Sequence, residues 1–324
     1  MSENPVQAHG LTGSVCVVVV SWNSHEDLPA CVDALRRNTD HPTWRLLVID
    51  NASRDGTREW VASHLAADEF ILSDTNLGWV GALNLALKAC PEDYLFFLNP
   101  DAVVQCGWLE PLVRSLAAFP DAGFASPKFF YPDGTIHYAG ASIGANRSIV
   151  VRGHGSQDEG RDEEEGWVPF AHGQCLVRRS VVDRVGYLDE GFGLGYFEEI
   201  DFQLRAARLG IRCRYVPTSR VIHATGVSFD KQPGGLKEEL LVGNWLRLMT
   251  IHWPPSWLLL RSLPEMMRPA RALLAGRSPR AAMNGWKRWA KSLPEAMLRR
   301  RAVQETGSLD WSRLREEGIR VAVE

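Results

Sequence analysis

The stretch Tyr94-Leu95-Phe96-Phe97-Leu98-Asn99-Pro100-Asp101 restricts the folds open to this chain more than any other. Apolar, mostly β-forming residues that stop at a proline read as a buried central strand, and the proline ends it because it has no N–H to give a ladder. In open α/β sheets ligands bind beyond the carboxyl ends of the strands, so a strand ending here delivers Asp101 to a crevice. The same aspartate also suits a loop or a cap before the helix near Trp108. The rest of the chain has to choose between the two.

The flanking sequence repeats the strand-then-polar-turn pattern. Ser14 to Ser21 (SVCVVVVS) is continuous rather than alternating, which reads as a parallel strand buried on both faces. It ends at Trp22-Asn23-Ser24 and is followed by an amphipathic helix from Leu28 to Arg37, with Leu28, Cys31, Val32 and Leu35 on one face. Trp44 to Ile49 supplies a second strand, which runs into the turn-rich cluster Asp50-Asn51-Ala52-Ser53-Arg54-Asp55-Gly56-Thr57. A helix from Thr57 to Leu65, a strand from Phe70 to Leu72, a polar loop to Gly78 and a helix to Lys88 lead back to the opening strand. This alternation predicts a doubly wound, mostly parallel, Rossmann-like α/β sheet.

In one such sheet, Ser21-Trp22-Asn23, Asp50-Asn51 and Asn99-Pro100-Asp101 face a common crevice, and their groups suit a nucleotide. Asp50 can accept a hydrogen bond from a pyrimidine N–H or simply cap its own turn; Trp22 can line a base pocket and Asn99 can reach a ribose hydroxyl. No G-x-G-x-x-G or G-x-x-x-x-G-K-[ST] follows the first strand, so neither a dinucleotide fold nor a P-loop is indicated. A diphosphate bound without a glycine cradle needs another positive charge, and a divalent ion on Asp101 is the simplest source.

Composition narrows the class. With 324 residues, 45% of them hydrophobic, and a formal net charge of -3, the chain suits a globular protein of one or two domains and makes no case for nucleic-acid binding. The first thirteen residues lack a basic-then-apolar leader, so a cytoplasmic location is expected. Six scattered cysteines with no C-x-x-C pair read as reduced, largely buried thiols.

The second half is less regular. A helix is expected from Gly107 to Phe119 and strands at Gly123–Ser126 and Ala171–Arg178. Between them, residues 131–168 carry glycine and the acids Asp158, Glu159, Asp162, Glu163, Glu164 and Glu165, which suits a solvated loop or an acceptor lid. The glycine-rich run 188–195 precedes a helix with Phe197, Ile200, Leu204 and Ala207 at core spacing and Glu198, Glu199 and Asp201 in its first turn. Arg205 lies four residues beyond Asp201, so that acid reads as half of an ion pair. Ile211–Val216 is another strand, and Val221-Ile222-His223 ends an apolar run in a histidine; His137 and His172 have no such setting. Ser228 and Lys231 begin a looser segment suited to closing over a ligand.

From Leu236 the composition turns basic. Arg and Lys far outnumber Glu265 and Glu295 between Trp245 and Arg301, with Trp245, Trp253, Trp257, Trp286 and Trp289 interleaved. Such helices suit the surface of an anionic membrane, or a cap packed on the preceding domain; Trp253 to Leu263 is too short and proline-broken to span a bilayer.

Taken in order, V-V-V-V-S-W-N-S at 17–24, V-I-D-N-A-S-R-D-G-T at 48–57, N-L-G at 76–78 with Asn84, F-L-N-P-D at 97–101 and F-E-E-I-D-F-Q-L-R at 197–205 resemble the inverting glycosyltransferases of family 2. The nearest branch is that of bacterial rhamnosyltransferases and galactofuranosyltransferases. The resemblance covers about residues 14–230 and implies the GT-A fold. It implies transfer of a sugar from a nucleotide diphosphate donor, dTDP-rhamnose first and UDP-sugars second, to a hydroxyl of a cell-surface glycan or lipid-linked acceptor, with Mg²⁺ or Mn²⁺ as cofactor. Such acceptors favour the inner face of the cell membrane for the basic helices.

Position by position, Asp50 matches the base-recognising acid, and Asn99-Pro100-Asp101 matches the D-x-D motif whose last carboxylate binds the metal. The first aspartate is Asn99 here, which can bond a ribose but adds no charge. Asn76, Gly78 and Asn84 match the segment that packs close to the nucleotide. Glu199 matches the second acid of the E-D motif, the general base, where most relatives have the shorter Asp, so Glu198 is the alternative base. His223 matches the histidine that completes the metal site. The expected organisation is a tail at 1–13, a nucleotide-sugar-binding half at 14–126, an acceptor-binding half at 127–235 and a basic helical extension at 236–324. A sugar nucleotidyltransferase would need a basic glycine-rich loop where Ser21-Trp22-Asn23-Ser24 stands, and an inactive carbohydrate-binding relative would have lost its carboxylates.

Overall fold

The computed structural model describes residues 13–143, 149–160, 162–224, 235–256, 267 and 279–319. The tail before Gly13, the segment with Ser228 and Lys231, and Trp257 to Leu263 lie outside the described residues. The first half follows its pattern: β1 (Val15–Ser21), α1 (Leu28–Asn38), β2 (Trp44–Asp50), α2 (Thr57–His64), β3 (Phe70–Leu72), α3 (Gly78–Ala89) and β4 (Tyr94–Leu98). Strands β4, β1, β2 and β3 are neighbours and all parallel. Val15 to Val19 are wholly buried, as a strand covered on both faces requires, and each such side chain contributes about 1.5–3 kcal/mol by leaving water.

Register decides what these strands present. Ser21 pairs with Asp50, Asp50 with Leu72, and Val19 with Leu98, so the polar ends of β1, β2 and β4 emerge side by side. The remaining strands widen the sheet: β5 (Ala102–Val104), β6 (Ala122–Phe130), β7 (Ile136–Tyr138), β10 (Gly166–Val168), β11 (Leu176–Arg178) and β12 (Arg212–His223). Most paired positions lie in parallel joints. Antiparallel ones enter where β11 wedges between β4 and β6 and where β5, β7 and β10 edge the sheet. A separate hairpin, β8 (Ala141–Ile143) with β9 (Ile149–Val151), borders the cleft described below.

Several second-half expectations change. The strand expected over Gly123–Ser126 runs nine residues to Phe130, and the two expected near 211–223 are one strand with a register shift between Val216 and Arg220. The strand expected from Ala171 begins only at Leu176, because His172 turns aside to receive, through its ring Nδ1, the Gln174 N–H at 3.1 Å. The acidic run is not a free solvated loop. Lys128, fully buried on β6, is held by Asp158 at 2.8 Å and Glu163 at 2.6 Å, and Arg214 meets Glu165 at 2.7 Å. A buried ammonium must be paired, and carboxylates some thirty residues away supply that pairing.

Helices α4 (Leu109–Ala118), α5 (Arg179–Val185) and α6 (Glu198–Arg208) complete the domain, and α7 (Leu236–His252), α8 (Arg280–Glu305) and α9 (Trp311–Ile319) pack onto it. Trp245 and Trp253 are buried, and Trp286 and Trp289 pack against the core, so these tryptophans are spent on packing rather than displayed to a membrane. Among the described residues no helix is long and apolar enough to cross a membrane. Cys106 is exposed and the other five cysteines are buried, all as free thiols.

Candidate active site

The crevice at the carboxyl ends of the strands is a cleft of about 540 Å³, within the usual range for small-molecule sites. Its walls include Trp22, Asn51, Asn76, Gly78, Asn99, Asp101, Glu198, Glu199 and His223, nine of the residues singled out from the sequence. Ser21, Asn23, Asp50 and Asn84 stand behind those walls.

On the nucleotide side, Asp50 is fully buried at the end of β2. Its Oδ2 accepts the Ser53 N–H at 3.3 Å and lies 3.6 Å from Arg58, whereas its Oδ1 has no hydrogen-bond partner. Half of this carboxylate therefore caps its turn. The other half is an orphaned acceptor, which costs about 1–3 kcal/mol until a donor arrives. Asn51 ties the neighbouring loop: its Oδ1 accepts the Leu77 N–H at 2.8 Å, and its Nδ2 donates to Asn76 Oδ1 and the Gly78 carbonyl, both at 3.1 Å. Gly78 adopts φ 70°, and a Cβ there would lie 3.0 Å from the Gly193 carbonyl, so glycine is needed at this close approach. Asn23 knits the ends of β1 and β2 together, its backbone N–H donating to Ser53 Oγ and its Oδ1 accepting the Arg54 N–H, both at 2.8 Å. The Ser21 carbonyl accepts the Asn51 N–H at 2.8 Å, and its buried Oγ has no partner. Asn84 is committed to the backbone of Leu188 and to Glu190, so it acts on the cleft only through the 188–195 loop.

The end of β4 carries the charged centre. Because β12 pairs with β5 at His223–Ala102, the histidine is laid against Asp101, and its Nε2 stands 3.2 Å from Asp101 Oδ1. Gln174 braces both partners: its Oε1 accepts the Asn99 N–H at 2.9 Å, and its Nε2 stands 3.1 Å from His223 Nδ1. Asn99 Nδ2 is 3.0 Å from His223 Nε2. His137 and His172 join His223 with ligand atoms all within 4.8 Å of one another. Burial, with His223 and His154 adding to it, lowers His137 to about 3, and burial holds His172 well below the ordinary histidine range. The chemistry of this donor set, one carboxylate and three imidazoles, with His137 Nδ1 unpartnered among the described residues, fits a divalent ion.

Glu198 and Glu199, which line the same cleft, open α6. The chain reaches them through Tyr196 and Phe197, both left-handed at φ 73° and 72°, a rare conformation for bulky residues. Burial raises both carboxyls above the ordinary range. The charge of Glu199 beside it raises Glu198 further. The two glutamates thus form an adjacent acid pair, both held above the ordinary carboxylate range. Asp201 faces away, fully buried between Arg205 at 2.9 Å and His252 at 2.8 Å, as its spacing to Arg205 predicts.

Sequence reasoning missed Trp79, His137, His172 and Gln174 as cleft residues. Trp79 adjoins the N-L-G motif, which is a local signal. The other three reach the cleft only through long-range pairing.

A nucleotide-sized cleft at the strand ends, lined by both an acid–histidine centre and an acid pair, belongs to glycosyltransferases of the GT-A class. The glycosyl transferase family 2 model matches residues 16–186, and the chain belongs to that family of enzymes. It is 25% identical over 69% of its length to the N-acetylglucosaminyl-diphospho-decaprenol L-rhamnosyltransferase of Mycobacterium tuberculosis, 80% of which is covered. It is 28% identical over 67% of its length to the O-antigen biosynthesis protein RfbC of Myxococcus xanthus, of which 18% is covered. Among solved structures, GalNAc-T7 with UDP, GalNAc and Mn²⁺ superposes with TM-score 0.63 at 16% identity, over 79% of this chain and 51% of that one. The Pyrobaculum calidifontis mannosyltransferase with GDP-Man and Mn²⁺ gives 0.52 at 18% identity, over 91% and 86%. These likenesses bear out the expected fold, enzyme class and rhamnosyltransferase-like branch.

Proposed function

We propose that this glycosyltransferase inverts the anomeric centre of a nucleotide diphosphate sugar, dTDP-rhamnose before UDP-sugars, as it passes the sugar to a hydroxyl of a glycan or lipid-linked acceptor. The observation that carries the reading is the convergence, in one cleft, of the Asp101–His223 pair and the Glu198–Glu199 pair. Asp50 Oδ1 accepts the pyrimidine N–H, Trp22 lines the base side and Asn99 meets the ribose. Asn76 and Gly78 shape the loop beside the diphosphate, with Asn51, Asn23, Ser21 and Asn84 holding the backbone behind them. Asp101 and His223 hold Mg²⁺ or Mn²⁺, with His137 and His172 as neighbouring nitrogen donors. When bound, that ion offsets the charge growing on the leaving diphosphate. Glu199 takes the acceptor proton while Glu198 keeps its own, and the hydroxyl attacks from the face opposite the diphosphate. Lys287, Lys291, Met297 and Leu298 lie exposed on α8 and would form the contact with an anionic membrane, which keeps the enzyme at the inner membrane face.

The test is a panel of nucleotide sugars with the purified protein, read by thermal protection and donor turnover with Mn²⁺, with Mg²⁺ and with chelator. Metal-dependent turnover of a dTDP- or UDP-sugar is expected. Turnover undiminished by chelator would remove the metal from the account.

A further inference from the structure

The loop that delivers Glu198 and Glu199 has little means of holding its own shape. Gly191, Gly193 and Gly195 leave it few side-chain anchors, and it ends in the two left-handed residues Tyr196 and Phe197. Such residues cost of order 1–3 kcal/mol each and persist only where the surroundings over-determine them.

The surroundings come from beyond the glycosyltransferase match, from α7 of the C-terminal extension. Asn244 is 1% exposed, and its Nδ2 donates to the carbonyls of Phe192 at 2.9 Å, Gly195 at 2.7 Å and Tyr196 at 3.2 Å. Arg247, one turn later, grips Asp189 with distances from 2.9 to 3.3 Å and also meets Glu295 of α8 at 2.9 Å. The fit is close, since a Cβ on Gly191 would lie 2.1 Å from the Arg247 guanidinium. Among the described residues, only the Asn244 amide reaches the carbonyls on both sides of the Gly193-Leu194 tip and the first residue of the kink.

We propose that Asn244 is a positioning residue for the acid pair: by gathering the carbonyls of Phe192, Gly195 and Tyr196 it fixes the kink from which Glu198 and Glu199 enter the cleft. The inference rests on the reading of Glu199 as the base. It makes the C-terminal helix part of the active-site scaffold.

Asn244→Asp in the full chain tests this, because it keeps the side-chain shape while turning an N–H donor into an oxygen that repels three carbonyls. Thr250→Val is the control: Thr250 Oγ1 accepts the Trp289 Nε1–H at 3.0 Å on the same helix, away from the loop. Melting temperature, calorimetric binding of UDP and dTDP with Mn²⁺, donor turnover, and the titration of glutamate carboxyl carbons by ¹³C NMR are compared. For Asn244→Asp the expected result is turnover down about 100-fold with nucleotide binding within about twofold of wild type, as a misplaced reacting group requires. The raised glutamate titrations seen in the wild type should also move down towards the ordinary range. Thr250→Val should lower the melting temperature and leave turnover and titrations unchanged. An Asn244→Asp protein with wild-type glutamate titrations, or a Thr250→Val protein with the same turnover loss, overturns the proposal. Should the wild type turn over no nucleotide sugar, the proposed chemistry fails by itself, and the NMR titration still decides the role of Asn244.

Discussion

Helix α6 carries Glu198, Glu199 and Asp201 within one turn, Glu198 and Asp201 buried and Glu199 half-buried, yet their surroundings drive them in opposite directions. Asp201 lies between Arg205 and His252, and those charges hold its carboxyl well below the ordinary range despite its burial. Among the described residues Glu198 and Glu199 have no cation as a partner, and burial pushes both up. Burial alone therefore does not mark a functional carboxylate. What separates the two sets is the compensation they receive: the core acid is neutralised by its neighbours, whereas the cleft acids face a space that a substrate would fill.

If that division is right, substitutions should separate turnover from stability. The largest effect is expected at the proposed metal site. Asp101→Ala should lower donor turnover at least about a thousandfold, with melting behaviour close to wild type; near-wild-type turnover in this variant would remove the metal-binding role. Asp201→Ala should do the reverse, costing about 3–5 kcal/mol in urea unfolding because Arg205 loses a buried counter-charge. If Asp201→Ala instead kept full stability and lost turnover, the contrast within α6 would fail.

A smaller effect concerns pH. The folded-state values of Glu198 and Glu199 are raised, so their stabilising contribution is complete below the ordinary glutamate value and is lost as pH rises through the raised values. Asp201 has the opposite sign: its contribution is present above the ordinary aspartate value and lost as pH falls through its depressed one. Glu198→Gln should accordingly flatten the decline of stability on the alkaline side by roughly 1 kcal/mol or more, measured by unfolding at several pH values. A curve parallel to wild type would show that the pair is not protonated as described. The smallest expected effect is Asp50→Asn, which should weaken dTDP and UDP binding by about two- to fivefold if its free oxygen meets the base as proposed.

The two halves of the chain also differ in how far the sequence predicts them. In the first half, Val17 to Asn23 and Val48 to Asp50 encode strand, end and polar tip contiguously, and parallel register then aligns the tips without further information. The charged centre was half visible: Asp101 and His223 end their own apolar runs, but Gln174, His137 and His172 arrive through strand pairing across 30 residues or more and share no local period. The acidic run shows the same limit, because nothing local marks Lys128 as the buried cation that collects it. The C-terminal tryptophans show a different one. A basic helix rich in Trp has the same composition whether the rings face lipid or a protein core, and only the packing of Trp245, Trp253, Trp286 and Trp289 distinguishes the two. Asn244 lies among them, and nothing in the local pattern marks it as the amide that gathers the Phe192 and Gly195 carbonyls.

The most direct test compares Glu199→Gln with Glu198→Gln at saturating donor, reading turnover and nucleotide binding together. The account predicts that Glu199→Gln loses about 10²- to 10⁴-fold in turnover while binding the donor as the wild type does, and that Glu198→Gln loses less. Wild-type turnover in Glu199→Gln, with the loss falling on Glu198→Gln instead, would contradict it.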